Sequence, residues 1–73
     1  MDGEIIKKIV ADLMEVDIHD FTSETKLVDL GCDSLDIYQI VYQTELQLGV
    51  KIPDDKMESI LSVGDIVELL KTL

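Results

Sequence analysis

Asp29-Leu30-Gly31-Cys32-Asp33-Ser34-Leu35-Asp36 is the stretch on which the fold depends, near the middle of a chain of 73 residues. A polar loop ends here and a long apolar-periodic segment begins, with Ser34 on the boundary. Free backbone N–H groups and the positive end of a helix favour a bound phosphate at such a boundary. Ser34 or Asp33 would equally suit the ordinary role of a helix N-cap. From the residues alone, Ser34 is therefore either a cap or an attachment point, and no neighbouring base makes it a nucleophile by itself.

The segment that follows predicts a helix over residues 34–48, which Gly49 ends. At about 100° per residue, two apolar stripes appear on this helix. The stripe predicted to face the core consists of Ile37, Ile40, Val41, Thr44 and Leu48. The second stripe consists of Leu35, Tyr38, Tyr42 and Leu46. This second stripe either packs under another part of the fold or stays exposed for a partner.

Apolar spacing and capping residues predict three further helices, one before and two after the helix at 34–48. Apolar residues from Ile5 to Met14 recur at helical spacing and predict a helix over about 2–16. Pro53 favours the start of a short helix at 54–59. Ser62 and Asp65 form a capping-box pair in front of a last helix at 63–72. The sequence predicts a single all-α domain over residues 1–73, a small four-helix bundle with three longer helices, one short helix and a long first loop.

The charge of the chain restricts its partners. Sixteen acidic residues against six lysines, with no arginine, give a formal net charge of −10. Nucleic acid is an unsuitable partner for this chain because its phosphates need cationic contacts. Basic protein surfaces, in contrast, complement the acidic chain well. The acids could also serve only solubility. No apolar run approaches the roughly 20 residues of a membrane span, and no signal-peptide pattern is present, so we expect a cytoplasmic monomer without membrane contact.

Catalytic and metal-binding patterns are missing from the sequence. Cys32 is the only cysteine, which excludes an intrachain disulfide and a paired-cysteine metal site, and we expect it to be a small buried apolar residue. The single histidine, His19, lies in a loop-like stretch and is expected to be solvated. Because no constellation supplies both a nucleophile and a base, the chain is predicted not to be an enzyme, and no metal site is predicted.

Three spaced motifs carry a resemblance to a known family. Residues 25–36, Thr-Lys-Leu-Val-Asp-Leu-Gly-Cys-Asp-Ser-Leu-Asp, resemble the attachment motif of acyl carrier proteins. Glu45 follows within the second helix, residues 49–54 resemble the link that precedes the third helix of that family, and residues 62–65 resemble the start of its fourth helix. Length, acidity and helix order also agree, so the resemblance covers essentially the whole chain.

The resemblance implies that Ser34 is the attachment site of 4′-phosphopantetheine, transferred from coenzyme A by a separate phosphopantetheinyl transferase. The arm would hold acyl groups as thioesters and pass them between enzymes of fatty-acid or related acyl biosynthesis. Asp33 and Leu35 would flank the site, Asp33 by orienting it. Partners would be the transferase and acyl-transferring, condensing or acyl-activating enzymes with basic patches. The implied docking residues are Leu35, Asp36, Tyr38, Tyr42, Glu45, Leu46, Asp54, Asp55 and Glu58.

The second helix departs from the family pattern. Residues 43–47 read Gln-Thr-Glu-Leu-Gln where a typical fatty-acid carrier has a run of glutamates. We therefore expect a specialised carrier that binds its partners partly through Tyr38, Tyr42 and Leu46. Two alternatives stay open: a carrier of aminoacyl, D-alanyl or peptidyl groups on the same arm, and a helical interaction module whose Ser34 is never modified. Asp36 favours acyl cargo, because carriers of aminoacyl groups often lack an acid at that position.

Overall fold

The structure, a computed structural model, describes residues 2–73. Three α-helices form its framework: α1 (Asp2–Met14), α2 (Ser34–Leu48) and α3 (Val63–Lys71). Short 3₁₀ helices lie at Ile18–Asp20, Leu27–Leu30 and Asp54–Ser59. The predicted all-α fold is confirmed, and the short helix predicted at 54–59 is a 3₁₀ helix. No helix in the described part of the chain is both long and apolar enough to cross a membrane.

Two predicted helix ends are wrong by one or two residues. The first helix was expected to run to residue 16, but it ends at Met14 because Glu15 takes a left-handed backbone conformation with φ of 57°. The last helix was expected to end at residue 72 and ends at Lys71. Thr72 caps that end, since its backbone N–H donates to the carbonyls of Leu69 and Leu70.

One apolar core joins the three α-helices. Its fully buried members include Ile6 and Val10 of α1, Ile40 of α2, and Val63 and Ile66 of α3. Full burial of a side chain of this size contributes about 1.5–3 kcal/mol. The predicted core face of α2 is confirmed at Ile40, Val41 and Thr44, whereas Ile37 and Leu48 are half-buried. Thr44 fits in the core because its hydroxyl donates to the Ile40 carbonyl at 2.8 Å.

The long first connection is packed across the bundle and bound to the start of α3. Phe21 and Leu27 from this connection lie in the core. The Leu27 N–H donates to the Leu61 carbonyl at 2.8 Å, and the Gly64 N–H donates to the Ser23 carbonyl at 2.9 Å. These backbone bonds fix the approach to α2 from a distant part of the sequence.

The link between α2 and the Asp54–Ser59 helix is bound to α2 itself. Gly49 has φ of 65° and donates its N–H to the Glu45 carbonyl at 2.9 Å. The Glu45 side chain then accepts a hydrogen bond of 2.7 Å from the buried Ile52 N–H. Pro53 precedes the 3₁₀ helix, in which Met57 is half-buried and no residue is fully buried.

Candidate functional site

The first turn of α2 is held by a reciprocal pair of aspartates. One Asp33 carboxylate oxygen accepts from the Asp36 N–H at 2.9 Å, and an Asp36 oxygen accepts from the Asp33 N–H at 3.1 Å. Asp33 is therefore the N-cap, which decides between the two residues that the sequence offered. Ser34 is the first residue inside the helix and is exposed, so its hydroxyl is not the capping group.

The chain enters this turn through Gly31 and Cys32. Gly31 has φ of 92°, a conformation that glycine adopts without the steric cost of a side chain. Cys32 is buried, as predicted, and its N–H donates to the Leu27 carbonyl at 3.1 Å. Burial raises the pKa of the Cys32 thiol, with smaller contributions from the negative charges of Asp36 and Asp33. Cys32 thus anchors the turn and remains a protonated thiol at neutral pH.

A recess of about 240 Å³ opens beside Ser34, between α2 and the Asp54–Ser59 helix. Ile37, Met57 and Ile60 give it an apolar lining, while Tyr38 and Glu58 add polar groups. The sequence patterns did not indicate this recess. The nearest signal was the inward-facing pattern of Met57 and Ile60, but periodicity along one helix does not show where two segments leave a gap between them.

The second apolar stripe of α2 is exposed. Leu35 is 70% exposed, Tyr38 53%, Tyr42 57% and Leu46 59%. This excludes the alternative in which the stripe packs under another part of the described fold, because α3 packs mainly against α1 and leaves the stripe uncovered. We call these four residues the tyrosine face.

The acids proposed for docking fall into two groups. Asp54, Asp55 and Glu58 are exposed on the 3₁₀ helix and available to solvent. Asp36 and Glu45 are half-buried, and each accepts a hydrogen bond from a backbone N–H. The sequence had placed these two among the docking acids. The spacing of Asp33 and Asp36 is that of a capping box and could have indicated the Asp36 bond, whereas no sequence signature indicated the Glu45 bond.

His19 lies on the surface, as predicted. Its side chain is 89% exposed and its Nδ1 lies 3.0 Å from the Asp17 carboxylate. The backbone N–H of His19 donates to the same carboxylate at 2.8 Å and, with the side-chain contact, lowers the pKa of Asp17. Within residues 2–73, no group of three or more acidic, histidine or cysteine side chains is arranged to hold a metal ion.

The sequence matches a known family of domains and several known proteins. Residues 4–70 match the family of domains described as "Phosphopantetheine attachment site". The acyl carrier protein of Helicobacter pylori strain G27 is 39% identical over 69 residues, which cover 93% of this chain and 88% of that protein. The acyl carrier proteins of strains ATCC 700392 / 26695 and HPAG1 match to the same extent. The chain belongs to the acyl carrier protein family.

Membership confirms two predictions and the general class of partners. Acyl carrier proteins are carriers and not catalysts, so the chain is not an enzyme. The prosthetic group of the family is covalently attached 4′-phosphopantetheine. In general, members of the family interact with a phosphopantetheinyl transferase and with acyl-handling enzymes.

The residues around Ser34 fit such a group. An exposed hydroxyl lies at the first position of a 15-residue helix, where the leading backbone N–H groups have no partner within the helix. The helix dipole favours a phosphodiester at that end. Asp33 and Asp36 use their carboxylates in the capping pair, so the hydroxyl itself stays available for modification.

Proposed function

We propose that this acyl carrier protein holds acyl groups as thioesters on a 4′-phosphopantetheine arm attached to the Ser34 oxygen. It passes those groups between enzymes of fatty-acid or related acyl biosynthesis. The observation that carries the proposal is the position of the Ser34 hydroxyl, exposed at the helix start and at the edge of an apolar recess. When bound, the arm supplies a terminal thiol on which acyl groups are carried.

Residues near Ser34 have separate roles in presenting the arm and in sheltering its cargo. Asp33 sets the backbone of the turn, which aims the Ser34 hydroxyl outward. The recess lined by Ile37, Met57 and Ile60 offers an apolar shelter beside the attachment point. At about 240 Å³ it is smaller than typical pockets for drug-sized ligands, which hold about 300–1,000 Å³. As it stands, the recess therefore accommodates only a short apolar segment.

A longer acyl chain needs the recess to widen. The Asp54–Ser59 helix forms one wall, and none of its residues is fully buried. A segment with few buried apolar contacts opens at a lower free-energy cost than the core helices. We propose that displacement of this helix admits longer cargo while α1, α2 and α3 keep their packing.

The charge of the chain supports docking to basic partner surfaces. Asp54, Asp55 and Glu58 are exposed on the Asp54–Ser59 helix, of which Glu58 lines the recess, and the whole chain carries a net charge of −10. Complementary charge speeds diffusional encounter with a basic surface, and a shuttle that serves several enzymes also needs fast release. The partners proposed on this basis are the phosphopantetheinyl transferase and acyl-transferring, condensing or acyl-activating enzymes.

Intact-protein mass spectrometry after co-expression with a broad-specificity phosphopantetheinyl transferase tests the attachment site. The wild-type chain is expected to gain the mass of one phosphopantetheine group, and Ser34→Ala is expected to gain nothing. Ser59→Ala serves as the control, because Ser59 is another exposed serine, at the end of the Asp54–Ser59 helix. A wild type without the added mass would instead support an unmodified interaction module.

The same measurement on chain isolated from its native cell tests the cargo. We expect a fatty-acyl or related acyl mass on the arm. An aminoacyl, D-alanyl or peptidyl mass would contradict the acyl part of the proposal while leaving the arm on Ser34 intact.

A further inference from the structure

A groove between α1 and α2 lies outside the site around Ser34. One recess of about 270 Å³ is lined by Ile9, Asp12 and Leu13 of α1 and by Gln39, Gln43 and Gln47 of α2. A second recess of about 420 Å³ shares three of these residues, Ile9, Asp12 and Gln47, and adds Ile5 and Lys8. The two recesses therefore form one groove, which we call the glutamine groove.

The glutamine groove faces away from the attachment site. Gln43 is nine positions after Ser34, and at about 100° per residue the two side chains lie about 180° apart around α2. Ser34 lines neither recess of the groove, and the recess beside Ser34 shares no residue with them. A molecule bound in the groove therefore leaves the Ser34 hydroxyl and its recess accessible.

The floor and the α2 wall of the groove differ in chemistry. Ile9 and Leu13 supply an apolar floor, the first buried and the second half-buried. The three glutamines are exposed, and in the described chain the side-chain hydrogen bonds of α2 involve only Asp36, Thr44 and Glu45. Each glutamine therefore keeps its amide donors and its carbonyl acceptor for a bound molecule.

The spacing of the glutamines suits an extended polypeptide. Gln39, Gln43 and Gln47 are four residues apart, which places successive amides about 6 Å apart along α2. Alternate residues of an extended strand repeat every 6.6 Å or about that distance, and each presents its backbone N–H and C=O at the same edge. An α-helix is a poorer occupant, because its backbone groups are already bonded within the helix.

We infer that the glutamine groove binds an extended segment of another protein, in which alternate apolar side chains cover the floor and a lysine or arginine lies against Asp12. Asp12 is exposed, lines both recesses and has no ion-pair partner within residues 2–73. Lys8 lines only the second recess and repels a basic side chain there, so the basic residue of the segment belongs beside the first recess. The three amides span about 12 Å, enough for about four extended residues.

Charge selects such a segment over other occupants. A nucleic acid and a second copy of the chain are both strongly negative, and the net charge of −10 opposes their approach. The inference goes beyond the proposed function and does not depend on the arm, since the groove lies on the opposite side of α2 from Ser34. A protein bound there would hold the carrier while Ser34 stays free for modification and acyl transfer.

Panning a phage library of random dodecapeptides against the immobilised chain tests the inference. We expect the enriched peptides to share apolar residues at alternate positions and a lysine or arginine next to one of them. One enriched peptide is then synthesised, and calorimetry measures its Kd for the unmodified chain and for the arm-bearing form. The two values should agree within about twofold. Amide NMR shifts should change at Leu13 and Gln43, and not at Met57 in the recess beside Ser34.

Variants of the groove separate the amides from the charge. Gln39→Ala with Gln43→Ala should weaken binding by about 5-fold to about 100-fold, because two side chains lose their hydrogen bonds to the peptide backbone. Asp12→Asn should weaken it by about 2-fold to about 5-fold at about 0.1 M salt and by less at about 1 M salt. Glu68→Gln is the control for Asp12→Asn, because it removes one charge from an exposed carboxylate on α3 and should leave Kd unchanged.

Several outcomes would overturn the inference. They are a library without enriched peptides, a bound peptide that is helical, and a double glutamine variant with the wild-type Kd. NMR shifts confined to Met57 or to the tyrosine face would also overturn it, as would groove shifts caused by the arm alone. The proposed function is judged separately: a chain that gains no arm refutes that function, and the peptide measurements on the unmodified chain still decide the groove.

Discussion

Replacing Glu45 by alanine should destabilise the fold markedly. The Glu45 carboxylate accepts a hydrogen bond of 2.7 Å from the N–H of Ile52, a residue only 1% exposed. Without this acceptor a buried N–H loses its partner, which costs about 1–3 kcal/mol, and hydrogen bonds to charged groups lie in the upper part of that range. Alanine returns a few tenths of a kcal/mol through its higher helix propensity. We expect a net loss of about 2 kcal/mol in the free energy of unfolding.

That loss is large for this chain. Domains of this size rarely exceed about 3–5 kcal/mol of stability from a single core. A loss of about 2 kcal/mol corresponds to a drop of roughly 8–16 °C in Tm. Urea unfolding, followed by circular dichroism, measures the loss in the free energy of unfolding. Glu45→Gln keeps an oxygen acceptor and removes the charge, so it should lose only about 0.5–1 kcal/mol.

Glu68→Ala is the matched control for Glu45→Ala. Glu68 is also a helical glutamate, but it is exposed and forms an ion pair of 3.3 Å with the exposed Lys71. Exposed ion pairs of this kind contribute about 0–1 kcal/mol, so Glu68→Ala should lie close to wild type. If Glu45→Ala were as stable as Glu68→Ala, or if Glu45→Gln were as unstable as Glu45→Ala, the structural role assigned to this carboxylate would be refuted.

Two further predictions concern backbone conformation and pH. Gly49→Ala should cost about 1 kcal/mol in urea unfolding, because φ is 65° there and no steric contact adds to the backbone cost; an unchanged midpoint would contradict it. Burial raises the pKa of the Cys32 thiol, so the folded state binds this proton more tightly than the unfolded state does. The resulting contribution to the free energy of unfolding is fully present below the unfolded pKa. It should be lost as pH rises through the folded pKa. Cys32→Ser, compared with wild type in urea unfolding at neutral and alkaline pH, should show a smaller alkaline loss; equal losses would show that Cys32 is not responsible.

Local patterns explain why much of the fold was predictable. The helical period of α2, the glycine that ends it and the capping box at Ser62 each depend on residues within a few positions of one another. The attachment site was predictable by resemblance, through the motif around Ser34. From helix physics alone, Ser34 and Asp33 were both candidates for the cap, and only the hydrogen bond of 2.9 Å from the Asp36 N–H to Asp33 decides between them.

Features that depend on tertiary contacts were not predictable. Whether the stripe of Tyr38 and Tyr42 is covered depends on the packing of α3, which the period of α2 does not report. The hydrogen bond from Ile52 to Glu45 spans seven positions and joins a side chain to a backbone group without a sequence signature. The bond from Leu27 to Leu61 involves only backbone atoms, so side-chain identity carries little information about it.

The attachment between the first connection and the start of α3 has a consequence for the timing of modification during synthesis. The loop before Ser34 is bound through Leu27 to Leu61 and through Ser23 to Gly64. When Ser34 has just emerged from the ribosome, Leu61 and Gly64, the two residues to which this loop is bound, have not yet emerged. The loop that leads into the turn of Ser34 can therefore be bound in its final position only after residues 61–64 have emerged. We expect a transferase that recognises this turn to act after residue 64 has emerged and to leave shorter nascent chains unmodified.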